Sequence, residues 1–515
     1  RSTRSGGSFS AQRRSARRGG VMAQSRSASG GAVNVFRRLV VISIVIATAG
    51  ALVVLARRTT SALESVVTER PVVPEFRATA KASTWFCPGV PGTDDSISGL
   101  LVISNGNESP VGGTITRFAL DGAARRQRFA VPARSTLEID AVIGTQSQFV
   151  SALVESQGAA IAVEQRTVHR AGNALAACAS SPSDEWYLAD GFTGADSLEQ
   201  VVVTNPSLDS AILDVSFVTA IGERAPQSLK GVVIPPESVR VFDMASLDAR
   251  NEATIAVIVK ATVGRVVVGR SQHYLGRGRL GYTMALAASG VSDRWYFADG
   301  EKAANVNEEF VIFNPLINDQ QLTFIVAGDD GVALEPLVVT APAKRVTKFA
   351  PTSLGTLAVG RYSAVVTATS ANAATAVGVV IERITTRQAE KSTASAVLLG
   401  VPRPSRTWLA PAGTAADVAD SLRIFNPGSL PATFAVTYLG PAGDVAVSGY
   451  DQVMLQPGAG VSITLSGQAA TTAVSVTSTE PVVVQRSVSR GAKQSINGSA
   501  PLIAVSDACA PTGAC

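Results

Sequence analysis

The hexapeptide WYFADG at residues 295–300 nearly repeats WYLADG at residues 186–191. Each copy begins with a Trp, and the chain contains only four Trp residues. They are separated by 101, 109 and 113 residues and open the related stretches WFCPG, WYLADG, WYFADG and WLAPAG. The four are Trp85, Trp186, Trp295 and Trp408. A motif that returns at such an interval marks the start of a repeated folding unit.

Three further landmarks recur in the same order after each Trp. A short apolar run ends in Asn105, Asn205, Asn314 or Asn426. A Gly follows seventeen residues after every Asn, at Gly122, Gly222, Gly331 and Gly443. After a turn that contains Pro, each unit reaches an Arg near its end: Arg166, Arg270, Arg383 and Arg486. The order of these residues indicates four copies of one structural unit.

The length and patterning of the units predict β-sandwiches. About 100–113 residues suit seven or eight strands, and alternation such as TITRFAL at 114–120 is typical of antiparallel strands with one exposed face. We therefore expect an all-β fold of four tandem immunoglobulin-like antiparallel β-sandwich repeats after one N-terminal transmembrane helix. The predicted repeats are residues 81–180, 181–290, 291–403 and 404–507, and residues 508–515 form a C-terminal tail. Alanine-rich links such as 171–185 are either loops or further strands that complete a neighbour.

Residues 39–56, LVVISIVIATAGALVVLA, predict a transmembrane helix because they carry no charge and lie between two Arg pairs. A buried helix of a globular domain fits these flanks poorly. A cleaved signal peptide is disfavoured because no small-residue cleavage site follows the run. Nine Arg precede the span and two follow it, so we expect a cytoplasmic N-terminus and an exported body. Residues 1–38 are then a disordered Arg-rich cytoplasmic tail and residues 57–80 a linker. The predicted location is the bacterial cytoplasmic membrane, crossed once.

The charge distribution argues against nucleic acid as a partner. The formal charge of +5 comes from the first 58 residues, which hold eleven Arg and no acid. The remainder has 34 basic and 40 acidic residues, a formal charge of −6. An acidic body lacks the electrostatic basis for binding phosphates. The lipid bilayer, through residues 39–56, is the predicted partner, with a cell-envelope glycan or protein as a further expected one.

Four cysteines in an exported chain favour two disulfides. Cys87 and Cys178 lie near the two ends of the first repeat, and Cys509 and Cys515 share the tail. We expect these two pairs, although four cysteines allow three pairings.

The repeated features together resemble a known family. The Trp-Tyr-Phe-Ala-acid-Gly opening, the Asn-Pro strand end, the Gly turn, the Pro-Ala turn and the terminal Arg are similar to the bacterial cell-surface repeats of the domain of unknown function 5719 family. The resemblance covers about residues 81–507 and is strongest in the second and third repeats. It implies an anchored, exported protein and supplies no activity or site.

No constellation of residues predicts catalysis, a metal site or a cofactor. Asp190 and Asp299 are interpreted as turn formers, because the other two repeats have Gly89 and Ala412 at that position and no second acid recurs with them. The two His, at 169 and 273, are interpreted as exposed strand ends, and GRGRLG at 276–281 as a loop. We expect Arg166, Arg270 and Arg383 to stack on, or hydrogen-bond beside, the motif that opens the next repeat.

The favoured function is therefore a non-enzymatic, membrane-anchored envelope scaffold, spacer or interaction surface. The alternative is a glycan-binding accessory protein of envelope polysaccharide, in which the Trp side chains would stack on sugar rings. Exposed aromatic residues along one sheet would favour that alternative, and buried Trp side chains would count against it.

Overall fold

The computed structural model describes residues 74–506, apart from residues 78–80, 93–96, 121, 123, 159, 170–171, 372–374, 390–391, 412–417, 441–442, 491–494 and 502. In this part of the chain the fold is all-β and almost entirely antiparallel, as the sequence predicts. Its only helices are short 3-10 turns at Gly194–Asp196, Gln227–Leu229, Met244–Leu247, Pro351–Ser353 and Gly467–Ala470.

No helix within these described residues is long and apolar enough to cross a membrane. The predicted membrane span at 39–56 and the predicted tail at 508–515 lie outside the described residues.

The first segment, residues 81–180, forms two four-stranded antiparallel sheets that share one core. Its strand orders are β2-β7-β4-β5 and β6-β3-β8-β9. The strands, with the short β1 that precedes them, are β1 (Glu75–Arg77), β2 (Ala82–Pro91), β3 (Ile97–Asn105), β4 (Val111–Phe118), β5 (Arg125–Val131), β6 (Ser135–Asp140), β7 (Phe149–Gln157), β8 (Ile161–His169) and β9 (Gly172–Ala177).

The second segment, residues 181–290, repeats this arrangement. Its sheets have the orders β10-β16-β12-β13, with β14 also paired to β12, and β15-β11-β17-β18. The strands are β10 (Glu185–Gly191), β11 (Leu198–Asn205), β12 (Ala211–Val218), β13 (Glu223–Arg224), β14 (Val232–Ile234), β15 (Ser238–Asp243), β16 (Ile255–Val263), β17 (Val267–Gly276) and β18 (Arg279–Leu286).

The third segment, residues 291–403, has the same two orders again, β19-β24-β21-β22 and β23-β20-β25-β26. Its strands are β19 (Arg294–Lys302), β20 (Val306–Asn314), β21 (Gln320–Gly328), β22 (Leu337–Ala341), β23 (Arg345–Phe349), β24 (Gly360–Thr369), β25 (Val380–Ala389) and β26 (Ser392–Leu399).

The fourth segment, residues 404–507, differs because one 17-residue strand serves both of its sheets. The first half of β33 pairs with β27 and β29, and its second half pairs with β28 and β34, so the two sheets merge into one ten-stranded sheet. The strands are β27 (Ser405–Ala410), β28 (Val418–Phe425), β29 (Ala432–Gly440), β30 (Gly443–Ala446), β31 (Val453–Leu455), β32 (Gly460–Leu465), β33 (Val474–Arg490), β34 (Ser495–Pro501) and β35 (Ile503–Ser506).

The two sheets of a segment have different sequence patterns because one is buried on one face and the other is buried on both faces. Strand β12 alternates, with Leu213, Val215 and Phe217 turned into the core and the residues between them partly exposed. Strand β11 has a continuous buried run, because Val201 and Val203 face its own core while Val202 packs on Phe149 of the first segment. The apolar runs that end in Asn are therefore strands covered on both faces.

The segments contact each other in a closed cycle. Strand β9 packs against β18, β18 against β26, β26 against β34, and β34 against β9. These strands include the alanine-rich links, for which the sequence allows either loops or strands. Each of the four lies at the edge of its own segment's sheet, where it pairs with one strand.

The two ends of the described chain meet. Strand β1 pairs in parallel with β35, through Glu75 and Ala504 among others, and β35 pairs antiparallel with β27. The described part of the predicted linker at 57–80 therefore contains strand β1, which joins the sheet of the fourth segment. This is the one parallel pairing among the described strands.

Candidate functional site

Each of the four Trp side chains is buried in a different hydrophobic core, at 2% exposure or less. In three segments the indole Nε1 donates a hydrogen bond to a backbone carbonyl of its own segment. The pairs are Trp186 with Val266 O at 2.8 Å, Trp295 with Val379 O at 2.9 Å and Trp408 with Val482 O at 2.9 Å. The recurring Trp is thus a core residue whose polar atom is used internally.

The residue after each Trp points the other way, into the core of the next segment. Neighbouring residues of a strand face opposite sides of the sheet, so one dipeptide reaches two cores. The residues are Phe86 in the second core, Tyr187 in the third, Tyr296 in the fourth and Leu409 in the first. Because Leu409 of the fourth segment packs into the first, these contacts also close a cycle.

The Gly turn of each segment lies against the Pro turn of the next. The four landmark Gly have φ values of 74°, 142°, 80° and 126°, which residues with a Cβ adopt only with strain. The contacts are Val239 N–H to Ala119 O at 3.2 Å, the Gly222 turn beside Arg345, Gly460 N–H to Asp329 O at 3.3 Å, and the ion pair of Arg134 with Asp444. The last of these again joins the fourth segment to the first.

The recurring Asn ties two turns of its own segment together. Asn205 is fully buried, and its Nδ2 donates to Asp209 O at 2.8 Å, Ile234 O at 3.1 Å and Pro235 O at 3.0 Å. Its Oδ1 accepts from Ser207 N at 3.1 Å, which closes an Asx turn. Equivalent bonds are made by Asn105, Asn314 and Asn426. An amide side chain at this position can donate to several carbonyls and accept from a backbone amide at once.

At two junctions, the residue before the recurring Arg accepts hydrogen bonds from the Trp motif of the preceding segment. Glu382 accepts hydrogen bonds from the backbone of Ala189 and Asp190 at 2.9 and 2.6 Å. Gln485 accepts from Ala298 and Asp299 at 2.8 and 3.0 Å.

At the first junction the same position is Gly269, and it faces Pro88. A Cβ on Gly269 would lie 2.5 Å from the Pro88 Cβ. Proline has no backbone N–H, so no acceptor side chain is needed at this junction. The Pro88 ring packs directly against Gly269 instead.

The prediction for Asp190 and Asp299 as turn formers is wrong. Both lie inside strands, β10 and β19, at places where the pairing register shifts. The Asp190 carboxylate binds Arg279 Nη1 at 3.1 Å, and Asp299 pairs with Arg361 at 2.7 Å. Each therefore forms an ion pair beside a segment junction.

A second acid does recur, contrary to the sequence prediction. It stands six residues before the Asn, at Glu199, Glu308 and Asp420, and all three are at most 1% exposed. The first segment has Gly99 there, where a Cβ would lie 2.4 Å from Val90. The signal is present in the sequence only if the repeats are aligned on Asn rather than on Trp.

The four recurring Arg residues are buried, and the partners that the structure describes for them are carboxylates, whereas the sequence predicts contacts with the motif that opens the next segment. Arg270 makes two 3.2 Å bonds to Glu382 of the third segment. Arg486 binds Asp420 of its own segment at 2.6 Å and Glu164 of the first segment at 3.3 Å. Arg383 lies 3.9 Å from Glu308 and Arg166 lies 2.5 Å from Glu164, both within one segment. Arg270 and Arg486 are therefore charge partners across junctions, whereas the pairs of Arg383 and Arg166 lie within one segment.

One of these groups lies between the second and third segments, and we call it the Glu199 cluster: Asp190, Glu199, Arg270, Tyr274, Arg279 and Glu382. The Arg279 guanidinium also stacks over the rings of Phe192 and Tyr274, at 5.2 and 5.7 Å from their centroids. Burial raises the pKa of Glu199 to about 8, with Asp190 and Glu382 adding to the increase and Arg270 opposing it.

Between the third and fourth segments, the equivalent carboxylates, Asp299 and Glu308, have cationic or hydrogen-bonding partners. Burial alone would raise the pKa of Asp299, but Arg361 and Arg383 hold it below its ordinary value. Glu308 accepts from Tyr362 Oη at 2.5 Å, Thr385 Oγ1 at 2.8 Å and Glu301 N at 3.1 Å. Both oxygens of this carboxylate are used within the protein.

One predicted disulfide is present. Cys87 and Cys178 are bonded, with Cα atoms 4.2 Å apart, and both are buried in the first core. Cys509 and Cys515 lie outside the described residues.

The remaining candidates have structural positions. GRGRLG at 276–281 includes a two-residue hairpin turn, because Arg277 and Gly278 both have positive φ between the paired residues Gly276 and Arg279. His273 is half-buried in β17, edge-on to Tyr282, rather than exposed, and His169 is the last residue of β8. Among the residues that the structure describes, no cluster of His, Cys, Asp and Glu could hold a metal ion.

These features define a class: an all-β repeat protein with β-sandwich-like sheets whose recurring polar residues join one segment to the next. Residues 142–397 and 363–508 match the model described as "Family of unknown function (DUF5719)". The matches span more than half of the chain, so the protein belongs to this family. No curated protein matches the chain.

Two solved structures show distant likeness. The crystal structure of Thermotoga maritima 1070 is 15% identical, with 22% of this chain and 94% of that chain covered and a TM-score of 0.18. A tetra-tandem repeat from the extending region of a large adhesion protein is 11% identical, with 78% and 94% covered and a TM-score of 0.10. With TM-scores this low, neither likeness bears on the fold or the function of this protein.

Proposed function

We propose that this protein is a non-enzymatic, membrane-anchored member of the bacterial cell envelope, in which four immunoglobulin-like β-sandwiches form a scaffold or interaction surface. The observation that carries this proposal is the use of the recurring residues. Trp, Asn, Gly and Arg in each repeat make contacts within the body, at cores, turns and junctions. Groups committed to such contacts are poor candidates for turnover of a substrate.

The anchor in this proposal is the helix at residues 39–56, with the N-terminus inside and the body outside. A disulfide in the first segment suits an oxidising exterior. Strand β1 begins at Glu75, so fewer than twenty residues separate the span from the body. At about 3.3–3.6 Å per residue such a linker reaches at most about 65 Å from the bilayer.

The closed cycle favours a scaffold or interaction surface over a spacer. Four sandwiches in a row would carry a binding site far from the membrane. Here the fourth segment instead returns to the first, through Leu409, Arg486 with Glu164, and Arg134 with Asp444.

Glycan binding through the recurring Trp has less support. All four Trp side chains are buried, and no described aromatic side chain belongs to the exposed class. Sugar-binding sites of the stacking type need an accessible ring face. A glycan partner would therefore have to be held by polar side chains on the outer strands.

Fractionation of cells that produce the full chain tests the proposal. We expect the protein in the membrane fraction, with the body digested by protease added to intact spheroplasts, and release into the soluble fraction when residues 39–56 are deleted. A cytosolic body protected from that protease would contradict the proposal. Binding of the detergent-solubilised full chain to an envelope polysaccharide, with retention of all four Trp in the core, would favour the glycan alternative.

A further inference from the structure

The Glu199 cluster carries one more acid than it carries bases. Three carboxylates and two guanidinium groups lie together at the second–third junction, and all five are at most 8% exposed. Asp190 is bound by Arg279 and Glu382 by Arg270. Glu199 is the carboxylate left over.

Neither oxygen of Glu199 has a hydrogen-bond partner in the structure, although the side chain is fully buried. The backbone amide of Phe192 lies close enough to oppose the rise in the Glu199 pKa, but it donates its hydrogen bond to Gln272 Oε1 at 3.1 Å. A buried ionised carboxylate without donors is unstable, whereas its neutral form is much less costly to bury.

Comparison with the third segment explains why Glu199 has no hydroxyl donor. Glu308 occupies the same position and accepts from the hydroxyls of Tyr362 and Thr385. In the second segment these two positions are Ile255 and Gln272, which offer Glu199 no hydroxyl. The carboxylate also lies against Gly191, where a Cβ would be 2.1 Å from its Oε1.

We propose that Glu199 is a proton-binding site that controls the second–third junction. With the proton bound, the cluster is neutral and the junction is closed. When the proton leaves, an unpaired negative charge stands beside Asp190 and Glu382, and the contact between the two segments loosens. Charged and titratable groups face the cluster from each strand around it: Asp190 on β10, Arg270 and Tyr274 on β17, Arg279 on β18, Glu309 on β20 and Glu382 on β25.

The direction of the pH effect follows from the two states of Glu199. Burial raises its pKa to about 8 when the junction is closed, and an ordinary value near 4.5 applies when water reaches it. Between these values the closed junction holds a proton that the open one releases. Opening therefore becomes more favourable by up to about tenfold per pH unit from about pH 5 to pH 8, and levels off above.

Hydrogen exchange of the full chain between pH 5.5 and 8.5, corrected for intrinsic rates, tests the proposal. The amides of Ala189 and Asp190, which donate to Glu382, report on this junction. The amides of Ala298 and Asp299, which donate to the neutral Gln485, report on the next one. We expect protection of the first pair to fall at least tenfold over this range relative to the second pair.

Two variants sharpen the result. Glu199→Gln removes the titration, so protection of Ala189 and Asp190 should become independent of pH in this window. Asp209→Asn, which removes an exposed acid of the same segment, should leave the wild-type dependence in place. Parallel loss of protection at both junctions, or a wild-type pH dependence in Glu199→Gln, would overturn the proposal. If Glu199→Gln fails to fold, the comparison of the two wild-type junctions still decides.

Discussion

At the scale of single residues, the recurring side chains are specialised for closing turns and joining segments. Each landmark is defined by what its side chain reaches: Trp its own core, the next residue the neighbouring core, and Asn the carbonyls of two turns. These roles depend on particular atoms, so even conservative replacements of fully buried landmarks should lower the free energy of unfolding.

Replacement of Asn205 by Ala removes its hydrogen bonds to three backbone carbonyls and one amide, of which Pro235 O has a second described donor, the Ser238 hydroxyl. We expect a loss of about 1–3 kcal/mol in the free energy of unfolding, because buried unsatisfied groups keep their desolvation penalty. Chemical denaturation measures the loss. Asn305→Ala, at an exposed Asn that makes one bond to Gln388, serves as the control and should change stability far less.

Replacement of Gly269 by Ala should destabilise the first–second junction. The added Cβ would meet Pro88 at 2.5 Å and Ala285 O at 2.9 Å, and overpacking of this kind costs about 1–3 kcal/mol. Gly355→Ala is the matched control, because a Cβ added at Gly355 would have no neighbouring atom within 4 Å. Equal stability of the two variants in thermal unfolding would show that the junction can shift to make room.

At the scale of elements, the disulfide and strand β1 each join two parts of the chain that are far apart in the sequence. The disulfide joins β2 to the end of the first segment, across 91 residues. Strand β1 joins the start of the body to its last described strand. Each therefore links parts of the chain that are far apart in the sequence.

Loss of the disulfide in the double variant Cys87→Ser, Cys178→Ser should lower stability by about 2–5 kcal/mol. Most of this comes from the larger freedom of the unfolded chain, in the entropic account of such bonds. Denaturation with and without a reductant measures it. Wild-type protein that unfolds at the same denaturant concentration under both conditions would argue that the bond contributes nothing.

Deletion of residues 74–77 removes β1 and should expose the strand that it covers. We expect faster hydrogen exchange at Ile503–Ser506 and around Trp408, because β35 would lose one of its two neighbours. Exchange in β12 of the second segment serves as the internal reference. A uniform increase across both regions would mean that β1 supports the whole body instead of one sheet.

At the scale of the whole molecule, the repeat and the all-β fold could be predicted from the sequence, because spacing and alternation are local signals. The Trp, Asn and Gly landmarks are those the structure uses, and so is the pair Cys87–Cys178. The junctions could not be predicted in the same way. Whether Tyr187 faces its own core or the next depends on where the neighbouring segment lies, which one repeat does not encode.

The two errors about acids have the same origin. Asp190 followed by Gly predicts a turn, because Asp-Gly is a common turn pair. In the structure the Gly is required by the close approach of Glu199, and Asp190 by Arg279. Arg279 falls within a glycine-rich stretch that predicts only a loop, since its partner is far away in the sequence. Pairings between distant residues carry this information, and no single motif does.

The pairing of Glu75 with Ala504 has a consequence for how the protein is made. Synthesis runs from the N-terminus, so β1 emerges long before the strand that receives it. In a truncated or stalled chain that lacks β35, strand β1 has no pairing partner and the sheet of the fourth segment is incomplete. Synthesis of β35 therefore completes the sheet of the fourth segment, and a protease could distinguish chains with and without it by the unpaired edge of β1.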